Sequence, residues 1–142
     1  MKGFSIIEML VVIGIGGLLF FLIIPTGVDF YESLELDSNR RAVVQTLRRA
    51  QLKAMSQEAD SSFGVYFTSS HYTLFKGDSF ISHDPSGDEV FSLAPGVNAS
   101  GLGEIVFSKL DGEPNVAGNV ELRSGGKVSI INISQTGVIS AQ

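Results

Sequence analysis

Hydrophobic and polar positions divide this chain into three zones. From Phe4 to Ile24 almost every residue is apolar, and the one carboxylate inside the run is Glu8. A stretch of about 20 apolar residues makes a helix long enough to span a bilayer. Between Val28 and Gln57 the pattern becomes one-sided. Leu36, Val43, Leu47, Ala50 and Ala54 recur at helical spacing among charged residues, which predicts an amphipathic helix continuous with the first segment. The two zones together predict a helix from about Phe4 to about Gln57, roughly 80 Å long. Pro25 stands where the first zone ends. It lacks a backbone donor and its ring crowds the carbonyl four residues back, so a kink is expected near Phe21.

From Ser61 onward the period shortens. Phe63–Phe67 and Tyr72–Phe75 predict a hairpin around Ser69-Ser70-His71. Further short strands are expected at Glu89–Leu93, Ile105–Phe107, Asn119–Leu122, Val128–Ile133 and Val138–Ser140. Turn signals at Asp84–Gly87, Asp111-Gly112, Ser124–Gly126 and Thr136-Gly137 separate them. One long helix followed by short strands predicts an α+β fold, with the amphipathic half of the helix covering one face of a small antiparallel sheet.

Glu8 is the residue that the hydrophobic pattern does not explain. A charge inside an apolar helix is costly and points to a function. It calls for a cation. If the chain is cut after Gly3, the new ammonium at Phe4 lies four residues away on the same helix face, and a neighbouring chain's ammonium could serve equally. A secretory signal peptide would want an uninterrupted core and an A-x-A-like cleavage site, and neither is present.

The run Gly3-Phe4-Ser5-Ile6-Ile7-Glu8 resembles the cleavage motif of type IV prepilins and type II secretion pseudopilins. The resemblance implies cleavage after Gly3 by a prepilin peptidase, N-methylation of Phe4, and Glu8 as the carboxylate that guides assembly. Ser5 and Ile6 stand where Thr and Leu are commoner, and Pro25 falls where the family often bears a proline. The basic helix from Asn39 to Gln57 leading into Ser61–Thr68, with the closing segment Glu104–Ser140, looks like the GspH/FimT class of minor pilins and pseudopilins. On this likeness residues 1–3 are a leader and 4–27 a transmembrane or filament-core helix. Residues 28–142 are then an extracytoplasmic head, with the amphipathic helix at 28–57 and the β-rich part at 61–142. The implied role is a structural subunit of a type II secretion pseudopilus or a type IV pilus, held by a single pass in the inner membrane. Its partners would be other subunits, the peptidase and the inner-membrane assembly platform. The alternatives are a DNA-uptake minor pilin and a membrane-anchored ligand-binding module.

Composition refines these expectations. The formal net charge is −5 and there is no cysteine. An acidic balance argues against general nucleic-acid binding. No disulfide can close a C-terminal loop, although a head of roughly 115 residues can rely on its core. Arg40, Arg41, Arg48, Arg49 and Lys53 form a basic run after the acidic Asp29, Glu32, Glu35 and Asp37. They read as a solvated face or as a complement to a neighbour's acidic segment, with DNA as the rival reading.

Neither a nucleophile elbow nor a phosphate-binding loop occurs. Gly14-Ile15-Gly16-Gly17 is better read as small residues that permit close helix contact. His71 and His83 read as turn or surface residues. His83–Glu89 could offer oxygens to calcium but lacks the spacing of an EF-hand loop. No enzyme activity, cofactor or metal is expected.

Overall fold

A computed structural model describes residues 5–56 and 60–142, without the side chains of residues 23–29. The chain is α+β. Helix α1 (Ile6–Met55) is 50 residues long, about 75 Å at 1.5 Å per residue. Eight strands follow: β1 (Phe63–Phe67), β2 (His71–Lys76), β3 (Glu89–Ser92), β4 (Val97–Gly101), β5 (Glu104–Phe107), β6 (Gly118–Ser124), β7 (Lys127–Ile133) and β8 (Ile139–Ala141). They form two antiparallel sheets, ordered β3-β2-β1-β5 and β4-β6-β7-β8.

The expectation of a single small sheet is therefore corrected to two sheets. The residue pattern marked seven of the eight strands and missed β4. Its sequence, Val97-Asn98-Ala99-Ser100-Gly101, carries little strand propensity. It is a strand because β6 pairs with it along five residues, from Val97↔Ser124 to Gly101↔Val120. Gly101, at φ +98°, sits with its α-carbon against the Asn119 carbonyl, and an added Cβ would lie 2.4 Å from that oxygen.

The second half of α1 packs on strands of both sheets. Val43, Leu47, Ala50 and Ala54 are fully buried and Leu36 nearly so, as their spacing predicts. The stripe ends in alanines, and small side chains let the helix approach the strands closely. Inward strand residues alternate as the pleat requires. In β7, Ser129, Ile131 and Ile133 are buried while Val128, Ile130 and Asn132 are exposed. Helix stripe and both inner faces merge into one apolar core.

Polar clamps fix the helix to the loops. Gln51 Nε2 donates to the carbonyls of Gly112 and Gly137, both at 3.0 Å, so one side chain ties two turns to α1. Asn39 Oδ1 accepts from the Ala94 amide at 3.1 Å. At the C-terminal end of the helix the Leu110 amide donates to the Ala54 carbonyl at 3.2 Å, which satisfies one of the orphan acceptors there.

A second, smaller cluster covers the opposite face of the first sheet. Phe75 is fully buried there, beneath the loop joining β2 to β3. Gly64 makes this possible, because a Cβ at that position would lie 2.5 Å from the Phe75 ring and 2.9 Å from the Ile105 carbonyl.

Two substitutions test this packing. Leu47→Ala removes a fully buried side chain between helix and sheets and should cost about 2–5 kcal/mol of unfolding free energy. Gly64→Ala should cost about 1–3 kcal/mol through overpacking. Denaturant titration of the purified protein, followed by far-ultraviolet circular dichroism, measures both.

Candidate functional site

The first half of α1 differs from the second in what surrounds it. Side chains from Ile6 to Leu22 are exposed around the whole circumference, with Ile6 at 82% and Phe21 at 80%. A helix apolar on every side needs an apolar environment from outside its own fold. Gly14, Gly16 and Gly17 have nothing within 4 Å of an ideal Cβ, so the small-residue segment lies open along this surface.

Glu8 lies in the first turn of this helix. Its amide and that of Met9 both donate to the Ser5 carbonyl, at 3.0 and 3.2 Å. Its side chain is exposed and makes no ion pair with any described residue. A carboxylate there is favoured by the positive end of the helix dipole. Gly3 and Phe4, named as the cleavage and methylation residues, lie outside the described residues. The kink expected near Phe21 from Pro25 does not interrupt the helix, which runs as one element through both positions; the side chain of Pro25 itself is among those not described. Among the described residues no helix is long and apolar enough to cross a membrane.

The basic run of α1 is largely matched within the chain. Asp37 pairs with Arg40 and, at 2.8 Å, with Arg41, one turn farther along the same helix. Arg49 makes a bidentate pair with Glu89 at 2.7 and 2.9 Å, which ties α1 to β3. Lys53 Nζ stands 5.2 Å above the Phe63 ring. Arg48 is exposed and pairs with no described residue. An acidic partner on the same chain for Arg49 was not legible, because Glu89 is 40 residues away.

The two histidines have unequal surroundings. The His71 ring sits at the β1–β2 turn, with Nδ1 2.9 Å from Thr68 Oγ1. His83 is enclosed. Its ring stacks on Phe80 at 4.6 Å and meets the edge of Phe75 at 5.2 Å, while Phe80 stacks in turn on Tyr66 at 4.1 Å. His83 Nε2 is 2.8 Å from Asp88 Oδ2, and Nδ1 faces the Phe80 carbonyl. Both ring nitrogens thus face acceptors, and only the imidazolium can donate to both. The Asp88 hydrogen bond accordingly lifts the His83 pKa above its ordinary value of 6.5, with the Phe80 carbonyl and the nearby Asp84 carboxylate adding to the effect and burial opposing it. His83 lies in a bend of the β2–β3 loop, as the turn reading expected, and its contacts make it a structural fastener of that loop. Residue spacing alone carried no signal for it.

The acidic residues considered for calcium have protein partners. Asp84 Oδ1 accepts from the Ser86 amide at 3.0 Å, and this bond lowers its pKa. Asp88 bonds His83 and Glu89 bonds Arg49. Among the described residues no three His, Cys, Asp or Glu side chains gather to hold a metal.

No protein-family model, curated protein or solved structure matches the chain.

The His83 fastener has a pH signature. A group whose pKa is raised on folding contributes stability that is complete below its unfolded value, near 6.5, and is lost as pH rises through the folded value. Hydrogen exchange of the loop Gly77–Asp88 should therefore quicken from pH 5.5 to pH 9, after correction for the intrinsic rate. His83→Phe should keep the stacking and lose this extra pH dependence.

Proposed function

We propose that this chain is a minor pilin or pseudopilin, a structural subunit of a type II secretion pseudopilus or a type IV pilus. One observation carries the reading. Glu8, five residues after Gly3 in a prepilin-like motif, occupies the first turn of a 50-residue helix. The first half of that helix presents apolar side chains on every side, and its second half is built into a β-rich head.

In this reading the segment 4–27 holds the precursor in the inner membrane, with the head outside the cytoplasm. The peptidase cuts after Gly3, and Phe4 becomes the methylated terminus. The subunit then leaves the bilayer by exchanging lipid for the apolar helices of its neighbours. Such an exchange changes the hydrophobic environment little, so apolar packing alone does not select one axial position. A charge pair does. Glu8 is costly in lipid unless a cation satisfies it, and the ammonium of Phe4, on this chain or the next, is that cation. Attraction strengthens in a low dielectric while desolvation costs a comparable amount. The pair therefore acts mainly as a selector of register. The glycines at 14, 16 and 17 would let neighbouring helices come close.

The head's part is mechanical. The stripe from Leu36 to Ala54 and the clamps at Gln51 and Asn39 fix the head to the helix. Force on one is then transmitted to the other. The acidic net charge of −5 and the pairing of Asp37 and Glu89 with the arginines of α1 favour this reading over the DNA-uptake one.

Mass spectrometry of the mature protein should find Phe4 as its first residue, carrying one added methyl. A mature chain that retains Met1, or one cut beyond Ile24, would refute the proposal. Glu8→Ala should leave membrane insertion intact, since it makes the segment more apolar. Its incorporation beside wild-type subunits should fall by about tenfold for each 1.4 kcal/mol of lost attraction. Filament preparations quantified by immunoblot measure this, and normal entry of the variant would remove Glu8 as the registering group.

A further inference from the structure

Among the described residues, the last strand of the second sheet has one neighbour and one free side. In the order β4-β6-β7-β8, only β7 flanks β8. Just past the strand, Ile130 and Gln142 exchange both backbone bonds, at 3.0 and 2.9 Å. In an antiparallel ladder such bonded pairs alternate with non-bonded ones. Asn132↔Ser140 is then a bonded pair, and Ile131↔Ala141 and Ile133↔Ile139 are not. The N–H and C=O groups of Ile139 and Ala141 consequently point away from β7. No described residue hydrogen-bonds to them.

These groups open onto a groove of about 360 Å³ between β8 and α1. Its helix wall carries Arg40, Arg41, Val44 and Arg48. Three guanidiniums stand there against one carboxylate, Asp37, which pairs with Arg40 and Arg41. Arg41 is 73% exposed in spite of its pair, and Arg48 has no partner among the described residues. Gln45 and the backbone of β8, with Ile139 below it, complete the groove.

An open edge is a template for another strand unless something blunts it. Neither a proline nor a charged side chain lies within Ile139–Ala141, so β8 itself is not blunted. The arginines do not close the edge, but they select what can approach it. A cationic segment is repelled, and an acidic one is drawn in. We propose that the free edge of β8 accepts an extended, carboxylate-bearing peptide segment of another protein as an added strand. Ile139 and Ala141 supply the ladder hydrogen bonds, and Arg41 and Arg48 pair with carboxylates on alternate residues of the incoming strand. A phosphodiester chain fits this edge poorly. It offers acceptors without donors, so the carbonyls of Ile139 and Ala141 would stay unpaired. The inference rests on the edge and its arginines, independently of the filament reading.

The test uses the full-length protein in detergent and a fluorescent synthetic peptide of alternating valine and glutamate. Binding by anisotropy is expected with a Kd of about 10–100 µM. Replacing the glutamates by lysine, or combining Arg41→Glu with Arg48→Glu, should weaken it at least tenfold. N-methylation of alternate peptide amides should abolish binding in one of the two registers and spare it in the other. Hydrogen exchange of the Ile139 and Ala141 amides should slow by at least tenfold at saturation. The proposal is overturned if the peptide fails to bind at about 1 mM. Equal binding of both N-methylated registers would overturn it too, since charge alone would then hold the peptide. So would tighter binding of a duplex oligonucleotide through Arg41 and Arg48 than of the peptide.

Discussion

The burial of one helical stripe against two sheets is the constraint on which this structure depends. Val43, Leu47, Ala50 and Ala54 are fully buried on α1, which packs on β1 and β5 of the first sheet and on β6 and β7 of the second. Each sheet turns one apolar face toward the core, and such a face must be buried against another element. The helix supplies the missing apolar surface for both. Its alanines matter as much as its leucine, because a larger side chain at position 50 or 54 would lift α1 from the strands it covers. Gln51 lies beside this stripe and ties the turns at Gly112 and Gly137 to the same helix. The position of β8 relative to α1, and hence the groove between them, follows from that attachment.

The same helix meets two kinds of surroundings, and its residues divide accordingly. Before Leu22 it is apolar on all sides and touches nothing of its own head. After Leu36 it is apolar on one side and buried there. An element of 50 residues in one continuous helix couples the two halves rigidly. In the proposed filament that rigidity is what lets a register chosen at Glu8 determine where the head stands. The charges of the second half are used locally. Asp37 and Glu89 pair with Arg40, Arg41 and Arg49 within the chain, and Arg48 together with Arg41, still exposed in its pair, forms the positive side of the groove beside the β8 edge. Exposed ion pairs of this kind add little stability, so their value lies in where they leave charge rather than in what they hold together.

The first sheet has two covered faces, and the second cover is chemically specialised. Tyr66, Phe75, Phe80 and His83 form a column of rings held at its outer end by Asp88. Gly64 leaves room for it. The loop between β2 and β3 is thereby pinned to the sheet at Phe80 and His83, although it contains only a single 3-10 turn at Pro85–Gly87. Ile81, 95% exposed, is held out at the surface of this loop.

Periodicity alone determined much of this molecule. The apolar run, the stripe from Leu36 to Ala54, the β1–β2 hairpin and the turns at Gly112, Gly125 and Gly137 were legible because each rests on neighbours within a few residues. A helix period, a strand period and a glycine at positive φ are local facts, and the α+β class follows from their order. What only the tertiary structure decided depends on residues far apart in the chain. Two sheets replace one because β6 pairs with the weakly encoded β4, whose propensity says nothing of its partner. Arg49 finds Glu89 40 residues away, and His83 becomes a loop fastener because Phe75, Phe80 and Asp88 converge on it. The open edge of β8 is likewise invisible in Val138–Ser140. Whether a strand has one neighbour or two is set by how the whole chain closes around its core, and no local spacing records it.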